Sequence, residues 1–170
     1  MTTNSSNLPS KTPHESMIEM REMVLPQHTN ALNSIFGGVV MSWIDLAAAM
    51  CAQKHCNRHV VTAHIDEISF LSPIKVGEHV LIKASVNYVG RTSMIVGVRV
   101  ESEDILTQTI KITTRAYLTF VALDLQGHPV QVPPLKPETE DEKRRFENAK
   151  KRVEAKKDLR SKIQSSSRPS

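Results

Sequence analysis

Residues 37–55 read GGVVMSWIDLAAAMCAQKH, and the reading of this run decides the fold. It is dense in Val, Met, Ile, Leu and Ala from Gly38 to about His55. A strand of that length would be unusual, and the alanines at 47–49 favour helix over sheet. The run is apolar nearly all round, which predicts a helix inside the fold rather than on its surface. It is also the nearest approach to a membrane span. Ser42 and Asp45 interrupt it, and it falls short of the roughly 20 apolar residues a span needs.

Outward from the helix the period changes to two. Val80, Ile82, Ala84, Val86 and Tyr88 form one face of a strand, while Lys83, Ser85 and Asn87 point the other way. Gly90-Arg91 marks a tight turn, after which Met94, Val96, Val98 and Val100 continue the alternation. Ile110, Ile112, Ala116, Leu118, Phe120 and Ala122 repeat it along a further strand. An earlier strand, about Val60 to Phe70, slips phase near Asp66-Glu67, which predicts a bulge. Upstream of the helix, Ser16 to Leu25 reads as a strand ending at Pro26, followed by a polar loop over 27–36. The order is one strand, one long buried helix and four strands able to pair as antiparallel neighbours, an α+β domain. One helix cannot cover both faces of such a sheet. The sheet therefore wraps the helix on one face, and the other face or an edge meets a second subunit.

The ends differ from the body. Residues 1–14 are rich in Ser, Thr, Asn and Pro and are expected to be a disordered tail. The domain is expected over 15–128. Residues 129–170 would hold a linker, a peripheral Lys/Glu/Arg-rich helix from Thr139 to about Ile163 with a thin apolar stripe (Phe146, Ala149, Val153), and a disordered end. The chain has 170 residues, 22 basic and 18 acidic, a net charge of +4. Lys136 to Ser170 holds 12 of the basic and 7 of the acidic residues, so the body is near neutral and lacks the basic face of a nucleic-acid binder. Two cysteines make no disulfide scaffold, and no basic-then-apolar leader opens the chain. Together these read as a reduced, cytoplasmic protein without a membrane span.

Asp45 is the sharpest chemical signal. A carboxylate amid Trp43, Ile44, Leu46, Ala47 and Ala48 costs several kcal/mol to bury unless it is paired or used. Either it serves chemistry, or it lies on a wet stripe of the helix or pairs with a strand Arg. Gly37-Gly38 at the helix start exposes backbone N–H groups that can bind an anion or polarise a carbonyl, or merely permits close packing. Asp45 lies seven residues past Gly38, about two turns, and so on the same side of the helix. Asn30, with His28 in the loop before the helix, can hold a water or a carbonyl oxygen, or simply make a turn. Cys51, His55, Cys56, His59 and His64 lack metal-ligand spacing, so no metal is expected. No GxSxG elbow frames Ser42 or Ser93. The turn Gly90-Arg91-Thr92-Ser93 joins a cation to two hydroxyls and can meet a phosphate, or be a plain hairpin.

Taken together, the motifs resemble those of a known family. His28-Thr29-Asn30-Ala31-Leu32-Asn33-Ser34-Ile35-Phe36-Gly37-Gly38, continued to Trp43-Ile44-Asp45, resembles the signature of the hot-dog-fold acyl-CoA thioesterases. The similarity is closest to the acyl-CoA hydrolase group that includes the brain-type enzyme. Ser69-Phe70-Leu71-Ser72-Pro73-Ile74, Gly90 to Met94, Ala116 to Asp124 and Val132-Pro133-Pro134-Leu135 extend it over about residues 16–155. The resemblance implies a long central helix wrapped by a five-stranded antiparallel sheet. It implies dimers that assemble further, commonly as trimers of dimers. It implies hydrolysis of acyl-CoA to a free acid and coenzyme A, with no cofactor beyond the CoA of the substrate. On the same basis Asn30 and Asp45 are the catalytic pair, acting across a subunit interface. Gly38 supplies the N–H that polarises the thioester carbonyl, and Arg91, Thr92 and Ser93 lie near the CoA nucleotide. One departure is Asn33, where relatives often carry Gly.

A thioester needs no metal, because its thiolate leaves readily. A water activated by Asp45, or direct attack by Asp45 through a mixed anhydride, would suffice, with the oxyanion held at Gly38. Two other readings compete. A non-catalytic acyl-CoA sensor would bind without turnover. A hot-dog hydratase or dehydratase would need a His beside the acid, and none occurs in the helix before His55.

Overall fold

The computed structural model describes residues 8–166. A short helix α1 (Pro13–Ser16) precedes strand β1 (Ile18–Met23), and a single 3-10 turn (Pro26–His28) leads into the loop before helix α2 (Gly37–Cys56). Strands β2 (His59–Phe70), β3 (His79–Val89), β4 (Ser93–Asp104) and β5 (Thr109–Leu123) follow, and helix α3 (Glu140–Ser166) ends the fold. The strands form one antiparallel sheet in the order β1-β3-β4-β5-β2. The alternating apolar side chains of β3, β4 and β5 close on α2, with Ile82, Val86, Val96, Leu118 and Phe120 fully buried against Val40, Ile44, Ala47, Ala48 and Cys51. This is the helix-wrapped, five-stranded sheet that the order of periods predicts.

Two bulges correct the face assignments, because one extra residue flips every side chain beyond it. The register slips at Asn87, so Tyr88 leaves the core face and packs on Phe146 of α3 with ring centroids 5.3 Å apart. It slips again at Thr113, so Ile110 and Ile112 do not continue the core row that starts at Ala116. In β2 the bulge expected near Asp66 is present, with a second at Ala63. Asn57 ends α2 in the left-handed region at φ 51°, its N–H bonded to Gln53 O at 2.7 Å.

The ends are more structured than their composition predicts. Disorder was expected through residue 14, yet Lys11 bridges Leu135, and Thr12 caps α1 with Glu15 Oε2 accepting its N–H at 2.6 Å. Pro13 is buried. Residues 1–7 and 167–170, on which the rest of that expectation falls, lie outside the described residues. The linker is also strapped down, with Val132 in the core and its N–H bonded to Arg91 O at 3.1 Å. His55, fully buried at the end of α2, ties both straps together. Its Nε2 meets Pro133 O at 3.0 Å and its Nδ1 meets Ser16 Oγ at 3.5 Å. Desolvation holds this imidazole below its ordinary range, outweighing the Pro133 carbonyl that raises it.

Helix α3 crosses the sheet face opposite α2. Arg152 pairs with Glu67 and lies 4.1 Å above the Tyr117 ring, Lys156 pairs with Asp66, and Ala149 is buried. The helix thus pins the bulge at Asp66 in β2 through charges, which explains how so thin an apolar stripe can dock. Among the described residues no helix is long and apolar enough to cross a membrane.

Candidate active site

The middle of α2 runs beside edge strand β2. There the hydroxyl of Thr62 donates to Asp45 Oδ1 at 2.7 Å. Asp45 is half-buried rather than sealed in a core, because α2 leaves Met41 and Leu46 exposed on its uncovered side. The helix expected to be buried all round is therefore open along one stripe. Asp45 lies on that stripe, and no Arg pairs with it among the described residues.

Two turns earlier, about 10 Å along the axis, α2 begins with no side-chain cap. Val39 and Val40 donate to Phe36 O at 2.9 and 3.4 Å, while the N–H groups of Gly37 and Gly38 have no partner among the described residues. The glycines make room for aromatic rings. A Cβ on Gly38 would collide with the ring of Phe36, and one on Gly37 would lie 3.4 Å from the ring of Phe70 on β2. The helix start is thus a pair of free donors at the positive end of the dipole, bordered by two phenylalanines.

Asn30 is fixed by its own loop. Its Oδ1 accepts from Leu32 N at 2.9 Å, Ser34 Oγ at 3.3 Å and Ser34 N at 3.4 Å. Those donors define which side atom is oxygen and leave the amide NH2 of Asn30 without a partner among the described residues. Asn33 adopts φ 55°, the left-handed region where Gly is favoured and Asn tolerated. His28 packs edge-on against Trp43 at 5.3 Å and takes the Leu25 N–H on Nδ1 at 3.2 Å, so it braces this loop.

Not all the predicted residues meet. Gly38 and Asp45 share one side of α2, but no contact joins Asn30 to Asp45 within the chain. The turn Arg91-Thr92-Ser93 makes no contact with Asp45 but lies level with it two strands away, where Ser93, Val121 and Val61, the neighbour of Thr62, are successive neighbours across β4, β5 and β2. Its carbonyls tie down the body, Thr92 O accepting from Ala122 N at 3.0 Å and Arg91 O from Val132 N. Arg91 itself is exposed. Sequence reasoning missed Thr62, since a hydroxyl on an edge strand carries no motif and only the fold sets it against Asp45. Among the described residues no three His, Cys, Asp or Glu side chains converge. Cys51 is buried, and desolvation pushes its thiol up to about 12.

The chain matches the thioesterase superfamily over residues 32–108. It is 43% identical over 128 residues to an uncharacterized acyl-CoA thioester hydrolase of Bacillus subtilis, covering 75% of this chain and 74% of that protein. It is 34% identical to the cytosolic acyl coenzyme A thioester hydrolase of Rattus norvegicus, covering 81% of this chain and 36% of the longer relative. Among solved structures, a hexameric acyl-CoA thioesterase superposes with TM-score 0.87 at 43% identity, covering 89% of this chain and 97% of that one. The acyl-CoA hydrolase of Staphylococcus aureus, in complex with butyryl coenzyme A and coenzyme A, superposes with TM-score 0.85 at 39% identity, covering 93% and 96%. Variants of the Staphylococcus enzyme replace an aspartate, an asparagine and a threonine by alanine, at the spacings of Asp45, Asn30 and Thr62 here. The chain belongs to the thioesterase superfamily and, within it, to the acyl-CoA thioester hydrolases.

Proposed function

We propose that the protein hydrolyses acyl-CoA thioesters to a carboxylic acid and coenzyme A with Asp45 as general base. The observation that carries the reading is the Thr62–Asp45 hydrogen bond, which orients a half-exposed carboxylate two turns from a pair of free helix N–H groups. Oδ1 is held by Thr62, and the other carboxylate oxygen takes a proton from water as that water attacks the thioester carbon. The N–H groups of Gly37 and Gly38 receive the developing oxyanion, an effect worth about 3 kcal/mol per donor. The tetrahedral intermediate collapses, the C–S bond breaks and coenzyme A leaves as thiolate. The free amide of Asn30 donates to the water or the carbonyl. The acyl chain lies along the apolar strip that Met41, Leu46, Ile65 and Phe70 leave exposed. Arg91, Thr92 and Ser93 meet the CoA nucleotide. No cofactor is required, coenzyme A being part of the substrate.

The chain works as a homo-oligomer built from dimers, in keeping with the hexameric relative. β2 is a long sheet edge with Val61 and Ile65 about half exposed, 46% and 51%. Such an edge invites a second copy. The other edge, β1, has only six residues and carries Glu19, Arg21 and Glu22. A β2-to-β2 pairing brings one copy's Asn30 toward the Asp45 of its partner. A trimer of these dimers, in the cytoplasm, completes the reading, supported by the cytosolic relative.

The test is thiol release from a panel of acyl-CoAs, short to long, by wild type and Asp45→Asn. Turnover that falls by several orders of magnitude in the variant, with the oligomer intact, is the expected result. Equal turnover in both would remove Asp45 from the mechanism. Binding without turnover in wild type would favour the sensor. Single turnover in 18O-water separates the routes, since general-base catalysis labels the released acid and leaves the Asp45 carboxylate unlabelled.

A further inference from the structure

The sheet face that carries α3 holds a hollow of about 420 Å3 between the first turns of that helix and strands β1, β3, β4 and β5. It lies on the opposite side of the sheet from α2 and Asp45. Its floor is unusual in charge. Lys83, Arg99 and Arg115 are direct cross-strand neighbours on β3, β4 and β5, three like charges in one row. Such neighbours repel unless a counter-charge joins them. Glu101 supplies one, bonding Arg99 at 2.9 Å and Lys83 at 3.1 Å, and Glu19 stands opposite Lys83 on β1. Arg115 has no carboxylate in ion-pair range among the described residues. From above, α3 adds Arg144 and Arg145, both paired with Asp141. Five cations thus face three carboxylates, an excess of two positive charges around one cavity.

The space is built by small residues. Ser85, Gly97 and Tyr117 form the next row, and a Cβ on Gly97 would collide with the Asn87 amide, which bulges across it. Ser85 donates to Asn87 Oδ1 at 3.0 Å, which turns the amide NH2 toward the hollow's glycine floor. The Arg145 guanidinium reaches Ser85 Oγ at 3.5 Å. Guanidinium forks, an amide and a hydroxyl are the donor set that a tetrahedral oxyanion with many acceptor oxygens uses well.

We propose that this hollow binds a dianionic phosphate group, carried by a small phosphomonoester or a diphosphate, at a site separate from the acyl-CoA centre. The dianion matches the local charge excess and gives Arg115 the partner it lacks. The volume exceeds one phosphate and lies in the range of small-molecule sites, so an organic remainder fits beside it.

Isothermal titration of the full-length protein with inorganic diphosphate, and separately with inorganic phosphate, tests the proposal. Wild type is expected to bind diphosphate. Arg115→Gln and, as a second variant, Lys83→Gln are expected to weaken that binding about tenfold or more. Arg91→Gln, in the turn assigned to the CoA nucleotide, is expected to leave the Arg115-dependent binding in place. Without ligand, Arg115→Gln is expected to melt no lower than wild type, since removing it relieves repulsion. The proposal is overturned if wild type shows no binding, or if Arg115→Gln and Lys83→Gln bind as wild type does. It is equally overturned if the binding follows Arg91 instead. A clear fall in the ligand-free melting temperature of Arg115→Gln would assign Arg115 a structural partner and end the reading too.

Discussion

Replacing Thr62 by Val deletes one hydroxyl and little else. Val has nearly the same shape, favours strands as strongly, and the site is exposed in the chain, so stability should change by less than about 0.5 kcal/mol. What is lost is the 2.7 Å hydrogen bond to Asp45 Oδ1. A hydrogen bond to a charged acceptor contributes about 1.5–3 kcal/mol when shielded, and exposure of Thr62 argues for the lower end. If that bond chiefly holds Asp45 in its working rotamer, about 1.4 kcal/mol is lost from the transition state, a factor of about ten in kcat. KM should hardly move, because Thr62 is assigned no part in ground-state binding. The assay is steady-state thiol release by wild type, Thr62→Val, Asp45→Asn and the double variant. Because Thr62 acts only through Asp45, its substitution should cost little once Asp45 is already Asn. A kcat within twofold of wild type, or a full tenfold loss retained in the Asp45→Asn background, would refute the positioning role.

Gly38→Ala should cost activity rather than stability. The half-exposed Phe36 ring can swing away from the new methyl, and Ala favours the helix, yet the methyl and displaced ring crowd the donor pair. A kcat loss of about tenfold to a hundredfold is expected, partly recovered in Phe36→Ala/Gly38→Ala, as steady-state kinetics would show. Acid should loosen the two straps that meet at His55. Its folded-state affinity for a proton lies below the ordinary 6.5, so below that pH the unfolded chain binds a proton that the native one refuses. Stability therefore is present above 6.5 and falls as pH drops below it, by up to about 1.4 kcal/mol per pH unit for the single group. Thermal melts from pH 7.5 to 5 should show the decline, and His55→Gln should flatten it.

The architecture was legible because the two periods in the sequence are long and clean. The alanine-rich run over 37–55 has no strand equivalent, and the alternations from Val80 and from Met94 each declare a half-buried strand. What escaped was whatever depends on one extra residue or on a distant partner. Tyr88, Ile110 and Ile112 follow the alternation on paper, and only the bulges at Asn87 and Thr113 turn them away from the core. Lys11 to Pro13 looks like a polar tail, but its partners, Leu135 and the capping Glu15, give its backbone bonds a destination. Asp45, Gly38 and Asn30 stand out as candidates because a carboxylate in an apolar helix, paired glycines and a loop amide are each conspicuous alone. Thr62 could not, since its meaning comes entirely from lying across from Asp45. The same holds for the row Lys83, Arg99 and Arg115, which are far apart in sequence and adjacent only through register.

The arrangement within one chain also argues for why this site belongs to an assembly. The free amide of Asn30 and the carboxylate of Asp45 are each held firmly, by three donors in one case and by Thr62 in the other, yet they do not meet. A loop so tightly bonded to itself has no slack to swing across. The uncovered stripe of α2, with Met41 and Leu46, lies beside the one long edge of the sheet, so the apolar surface and the unpaired backbone that call for a cover occur at the same place as the carboxylate. A second copy paired along β2 satisfies all three demands with a single contact. On the proposed pairing it would cover the edge, shield Asp45 from bulk water and supply a rigid amide donor that the chain does not deliver to its own acid. Under the proposed pairing, a charge placed on the β2 edge, such as Val61→Lys, should separate the copies and abolish turnover together, although Val61 points away from Asp45 in the sheet. Size-exclusion chromatography with light scattering beside the thiol assay reads both effects. Separated chains that kept full activity would break the link between assembly and catalysis.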